Sequence, residues 1–135
     1  MKYFAALSLL CTLSLLLLLP ACKPSADESI DRISRAWQVN KYYEDNEDFT
    51  AAFKAENKNY TLQFYPDLTF LQSAVVNDTF YTHNGTWAFS EQLDSLYLYR
   101  DVDTTRYYIR LLRQKNLNIR KTISDTTYDY LMVDY

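Results

Sequence analysis

A chain of 135 residues, 48% hydrophobic and 23% charged, has the size and composition of one globular domain plus a terminal segment, with no room for a second domain. Its formal charge is −3, and its Lys and Arg residues are scattered among acids and tyrosines. That pattern lacks the clustered cations that phosphate backbones require, so nucleic acid is not an expected partner. Thirteen tyrosines against one glycine, Gly85, favour strands over helices.

Lys2 is followed by a nearly continuous apolar run from Phe4 to Leu19 and then by Leu19-Pro20-Ala21-Cys22. One positive charge, an apolar stretch and a small residue at a cleavage point are the parts of an export signal. The run is shorter than the roughly 20 residues that cross a bilayer as a helix. Ala21 directly before Cys22 resembles the bacterial lipobox. That resemblance implies cleavage before Cys22, diacylation of its sulfur and attachment of the mature chain to a membrane; Pro20 departs from the usual small or apolar occupant and bears on cleavage efficiency. The expected division is a signal peptide over residues 1–21, a flexible tether over 22–34 with Cys22 lipidated, and a folded domain over 35–135. The expected location is the cell envelope, at the outer membrane of a Gram-negative bacterium. Cys11 would leave with the signal, so no internal disulfide is possible. Asp27-Glu28 reads as an ordinary solvated linker, and also loosely resembles the acidic stretch that directs lipoproteins of the Bacteroidetes to the cell surface.

Beyond the tether, apolar and polar residues alternate over short runs separated by turn residues, the period of half-buried strands. The first run covers residues 36–43, with Trp37 and Val39 on one face. Asp48 precedes Phe49, Ala52 and Phe53 at helical spacing and is the expected N-cap of a short helix ending near Asn57, the one helix expected after the signal. Tyr60, Leu62 and Phe64 share a face of the next strand, and Pro66-Asp67 turns it into a partner over 69–76. After Asn77-Asp78 comes a long or bent strand through Gly85, Trp87 and Phe89. Residues 96–99 and 105–113 form a hairpin, Lys115-Asn116 turns into 117–120, and a last strand covers 130–133. About eight strands in sequential hairpins, with no crossover helices, predict an all-β fold: a small antiparallel up-and-down barrel. A half-open sheet capped by the 48–57 helix is compatible with the same pattern.

Several short motifs fall in a consistent order: Trp37, then Phe64-Tyr65-Pro66-Asp67-Leu68-Thr69-Phe70, Gly85-Thr86-Trp87, Leu96-Tyr97-Leu98, Ile109-Arg110-Leu111-Leu112 and Leu117-Asn118-Ile119. In that order they resemble the lipocalin-like lipoproteins of the Bacteroidetes over roughly the last hundred residues. The resemblance implies a lipocalin-like barrel. Leu68 departs from it, standing where the family usually has glycine in the hairpin turn. The family transfers architecture more safely than activity.

An eight-stranded barrel is just wide enough to be filled by side chains or to hold one small molecule. The expected inward set is Trp37, Val39, Tyr60, Leu62, Phe64, Trp87, Phe89, Leu96, Leu98, Tyr107, Ile109, Leu111, Leu117, Ile119, Leu131 and Val133. Within it, Trp37, Tyr60, Phe64, Trp87 and Tyr107 are the candidate contacts for a small apolar or aromatic ligand in the barrel mouth. With only about a hundred residues in the domain, side chains of this bulk would also occupy most of the available volume and make a solid core. In that case Tyr65, Tyr97, Tyr99 and Tyr108, expected outside, offer a surface to a protein partner. Enzymatic chemistry is not expected. His83 is the single histidine, no nucleophile elbow is present, and a chain with one glycine has no phosphate loop. Neither a metal nor any other cofactor is expected: zinc lacks ligands, and Glu44-Asp45-Asn46-Glu47-Asp48 and Asp101-Val102-Asp103 read as solvated loops rather than calcium sites.

Overall fold

Strands form where the alternation runs. In the computed structural model, which describes residues 24–135, these are β1 (Ala36–Glu44), β2 (Glu47–Asp48), β3 (Lys58–Phe64), β4 (Thr69–Val76), β5 (Thr79–Phe89), β6 (Ser95–Arg100), β7 (Asp103–Arg113), β8 (Asn116–Ile123) and β9 (Thr126–Asp134). Two helices join them, α1 (Ala26–Ile33) and α2 (Thr50–Glu56). The expected signal segment and the lipidated Cys22 lie outside the described residues.

Every sheet pairing is antiparallel, and from β3 onward each strand pairs with the next in sequence. β1 lies between β3 and β9. The β1–β9 ladder runs from Trp37↔Asp134 to Glu44↔Tyr128, so the sheet closes and the half-open alternative does not apply. β2 is a two-residue flap on the end of β1. With so little glycine, the tight hairpins use Asn and Asp: Asp45-Asn46 and Asn77-Asp78 both hold two successive positive φ values, the requirement of a type I′ turn. The core cluster runs from Ile33 to Met132, so residues 24–135 carry a complete core of their own.

Residues 22–34 were expected as a flexible tether, yet residues 26–33 are helical. The Ser25 side chain accepts a hydrogen bond from the Glu28 backbone N–H at 3.2 Å, half of a Ser-x-x-Glu capping box. Ser29 and Ile33 are buried, with Ile33 completely so. Only two large apolar side chains, Ile30 and Ile33, mark the buried stripe, too few to stand out from a polar linker. At α2 the cap is also shifted: Phe49 holds the N-cap position, while Asp48 accepts from the Thr50 N–H at 2.9 Å as an Asx turn before it.

The inward set differs from expectation in four strands, β4 among them, which buries Phe70 and Ala74. A bulge between Ile109 and Leu111 flips the phase of β7, so Leu112 rather than Leu111 packs against the core. In β9, Tyr130 and Met132 are buried and Leu131 and Val133 are not. Tyr130-Leu131-Met132-Val133 is apolar on both faces, so alternation alone carries no phase there. A second bulge, between Val39 and Lys41, turns Tyr42 inward.

Candidate functional site

The two ends of the barrel differ. At the end where α1 lies, Trp37, Phe64, Trp87, Leu96, Leu117 and Met132 are at most 2% exposed and fill the interior. Trp37 Nε1 donates to the Ile33 carbonyl at 2.9 Å, which ties the helix to β1. Trp87 Nε1 donates to the Tyr65 carbonyl at 3.2 Å, and its ring meets Phe64 edge-on at 5.5 Å. Of the five candidate contacts, Trp37, Phe64 and Trp87 therefore belong to the packed end. Tyr60 and Tyr107 stand toward the opposite end.

At that opposite end the wall parts twice. β1 pairs with β3 only over residues 36–38, and β5 pairs with β6 only over residues 86–89. α2 fills the first gap: Phe53 lies 4.5 Å from Tyr42 and 5.3 Å from Tyr60 between ring centroids. A recess of about 240 Å³ remains beside Phe53, Val39, Asn57 and Tyr60. The second gap leaves the concave side of the β4–β5 hairpin uncovered. There Gln72, Ala74, Val76, Tyr81 and His83, with Asn57 from the end of α2, line a recess of about 260 Å³.

Within the mouth the rings form one network. Tyr42 and Tyr130 are 5.0 Å apart, and Tyr107 and Tyr130 6.1 Å. Burial pushes the phenols of Tyr42, Tyr60, Tyr107 and Tyr130 above their ordinary range, so they stand as neutral hydrogen-bonding groups. The Tyr42 hydroxyl also donates to Glu44 Oε1 at 2.8 Å. Two cations complete the mouth. Lys121 Nζ sits 5.3 Å from the Tyr128 ring centroid and 5.6 Å from that of Tyr130. Burial, and secondarily the Arg100 charge, push its ammonium below the usual lysine range.

Such a cup offers π-faces, hydroxyls and positive charge to a small molecule. Sequence reasoning reached Tyr60 and Tyr107 and passed over Tyr42, Phe53, Arg100, Lys121 and Tyr130. For the cations a signal exists: the inward alternation of Leu96 and Leu98 continues to Arg100, and that of Leu117 and Ile119 continues to Lys121.

His83 is exposed on β5 and lines the β4–β5 recess; the remaining candidates lie elsewhere. The acidic loops are spent on turns: Asp45 Oδ1 accepts from the Thr127 N–H at 2.8 Å, and among the described residues no three His, Cys, Asp or Glu side chains converge. The four tyrosines expected outside are all exposed or half-buried. Three of them line β6 and β7: Tyr97 and Tyr99 stack at 6.3 Å, and the Arg106 guanidinium lies 4.4 Å from the Tyr108 centroid.

No protein-family model and no curated protein sequence matches the chain. Solved structures do. A lipocalin-like protein from Bacteroides uniformis superimposes with a TM-score of 0.59 at 11% identity, over 77% of this chain and 99% of that one. A deswapped triple mutant of bovine odorant binding protein superimposes with a TM-score of 0.50 at 14% identity, over 77% and 74% of the two chains. At such identities the likeness is one of fold. Closed by β1 and β9 into an antiparallel barrel, with one added strand and two helices, the chain folds as a lipocalin-like domain.

Proposed function

We propose that this protein is a lipid-anchored, non-enzymatic component of the bacterial cell envelope that binds a small apolar or aromatic molecule at the α2 end of its barrel. The observation that carries the reading is the asymmetry of the interior. One end is packed solid around Trp37 and Trp87, whereas the other parts at β5–β6 and leaves Tyr81 and His83 facing an open recess. A domain built only to be stable gains nothing from leaving the concave face of β4–β5 wet, and the mouths of β-barrels are recurrent ligand sites. The anchor follows from Ala21-Cys22 behind an apolar run.

Native mass spectrometry of residues 24–135, purified from the envelope of the native host after release from the lipid, tests the ligand. A reproducible adduct of small-molecule mass that is lost on denaturing extraction is the expected result. The bare polypeptide mass would move the reading to protein binding. That second reading rests on the outer patch where Arg106 lies 5.6 Å from the Tyr97 centroid and Tyr99 stacks beside it. Tyr and Arg are the side chains that anchor protein interfaces.

A further inference from the structure

We propose that the ligand of the barrel mouth carries a carboxylate, seated between Arg100 and Lys121, with its apolar or aromatic body against the ring network of Tyr60, Tyr107 and Tyr130. This deepens the small-molecule reading above and rests on it.

The two cations belong to the interior. Leu96 and Leu98 are buried, and Arg100, two residues further along β6, continues their inward phase. Its Nη2 donates to Thr105 Oγ1 at 3.4 Å, a long bond that leaves most of the guanidinium's donors unused. Thr105 in turn sits opposite Leu98 in the ladder, on the same inner face. Lys121 follows Leu117 and Ile119 along β8 in the same way and lies opposite Tyr128. On the same inner face Tyr107 lies opposite Leu96 and Tyr130 opposite Ile119. The Tyr107 and Tyr130 rings are 6.1 Å apart and Lys121 Nζ is 5.6 Å from the Tyr130 centroid, so the inner faces of β6, β7, β8 and β9 bring these groups together.

Both cations are half-buried, and among the described residues neither makes an ion pair. Arg32, Arg35, Lys58 and Arg120 pair with carboxylates, and the other described cations without an ion pair, Lys41, Lys54, Arg106, Arg110, Arg113 and Lys115, are all exposed to water. Of the carboxylates on the inner face, Glu44 is engaged by the Tyr42 hydroxyl, and Asp103, opposite Arg100 in the ladder, is exposed. A chain of net charge −3 thus keeps two like charges together, partly out of water, with no counterion. Desolvating and juxtaposing them is costly. A bound anion supplies the missing partner and draws charge-assisted hydrogen bonds from both.

Matched pairs of probes separate the charge from the body. Residues 24–135 are titrated calorimetrically with octanoate and 1-octanol, and with 2-naphthoate and 2-naphthalenemethanol. Each acid is expected to bind at least about tenfold more tightly than its alcohol, the scale of one charge-assisted hydrogen bond. The stronger acid identifies an alkyl or an aromatic ligand body. Lys121→Met and Arg100→Met should each remove most of that preference while alcohol affinity stays within about twofold. Equal binding of acid and alcohol overturns the carboxylate and leaves the ligand site standing, as would variants that weaken both alike. No binding by any of the four overturns the ligand reading itself. The acid-to-alcohol ratio on the unaltered chain decides without any variant having to fold.

Discussion

Gly85 is the position at which one side-chain atom matters most. A Cβ built there would lie 2.0 Å from the Tyr99 carbonyl oxygen and 3.0 Å from Phe70 Cε1. Its φ is unremarkable, so the demand is for space: the β6 backbone crosses β5 there, just before the two strands part. Backbone cannot rotate away as a side chain can, so Gly85→Ala should cost roughly 3 kcal/mol, at the upper end of overpacking penalties. Chemical denaturation measures it, and a loss below about 1 kcal/mol would show that the strands can separate freely. Leu68 presents the opposite case. It holds φ at 66°, with its N–H donating to the Tyr65 carbonyl at 3.1 Å and its carbonyl accepting from the Trp87 N–H at 2.8 Å. The departure from glycine noted in the sequence therefore leaves the left-handed turn intact and puts a strained residue in it. Leu68→Gly should raise stability by about 1 kcal/mol; a neutral or lowered midpoint would mean that the leucine side chain offsets the strain.

The buried phenols give a pH prediction with a definite sign. Tyr42, Tyr60, Tyr107 and Tyr130 have folded-state pKa values raised from the ordinary 10.0. Their contribution to stability is whole below pH 10 and declines as the pH rises beyond it, because the unfolded chain then releases protons that the folded chain keeps. In an alkaline titration, a block of phenolate absorbance should appear together with loss of the sheet signal in circular dichroism. Smooth ionisation of all tyrosines with the sheet intact would contradict their burial.

At the scale of elements, α1 belongs to the barrel. Ile33 is fully buried, and its carbonyl receives the Trp37 indole N–H, so the helix acts as the floor of the packed end. Ile33→Ala should cost about 3 kcal/mol, as for other large-to-small changes in a core, and thermal unfolding against the parent measures it. A cost under 1 kcal/mol would return this segment to the role of a tether. That role is what the sequence suggested, and the reason it misled is instructive. Strand order and hairpin positions were legible because period-two alternation recurs along the strands and an Asn or Asp stands in most of the turns, whereas closure was not, because a half-open sheet fits the same pattern until the β1–β9 ladder is seen. An eight-residue helix with two apolar anchors has too few repeats to show its period. The same limit applies in β9, where four consecutive apolar residues hide the phase, and at the bulges beside Val39 and Ile109, which reverse it without a glycine to mark them. The candidate site suffered most. Trp37 and Trp87 drew attention by size, but large apolar side chains mark where a barrel is filled, whereas the mouth is marked by inward-facing polar groups such as Arg100 and Lys121.

For the whole molecule, the position of α1 fixes how an anchored barrel would stand. Ser25 caps α1, and Cys22 lies three residues earlier in sequence, so at most about 10 Å of extended chain separates lipid from folded domain. The packed end would then face the bilayer, presenting Arg32, Arg35 and Arg113 interleaved with Glu28 and Asp31 toward its head groups, with Arg32 paired to Glu28 and Arg35 to Asp134. The mouth, at the other ends of the same strands, would open away from it. An 11-residue strand such as β7, tilted as barrel strands are, spans roughly 25–30 Å between these ends. Because Cys22 would be the lone cysteine of the mature chain, single reporters can be placed cleanly. A fluorophore on Lys115→Cys, in the β7–β8 turn, should be quenched by nitroxide-labelled lipids when the lipidated protein is reconstituted in vesicles. One on Val102→Cys, at the 97% exposed tip of the β6–β7 turn, should not. Equal quenching at the two sites would mean that the barrel lies on its side, with its mouth reached along the membrane surface. Quenching confined to Val102 would mean that the mouth faces the lipid and takes its ligand from the bilayer.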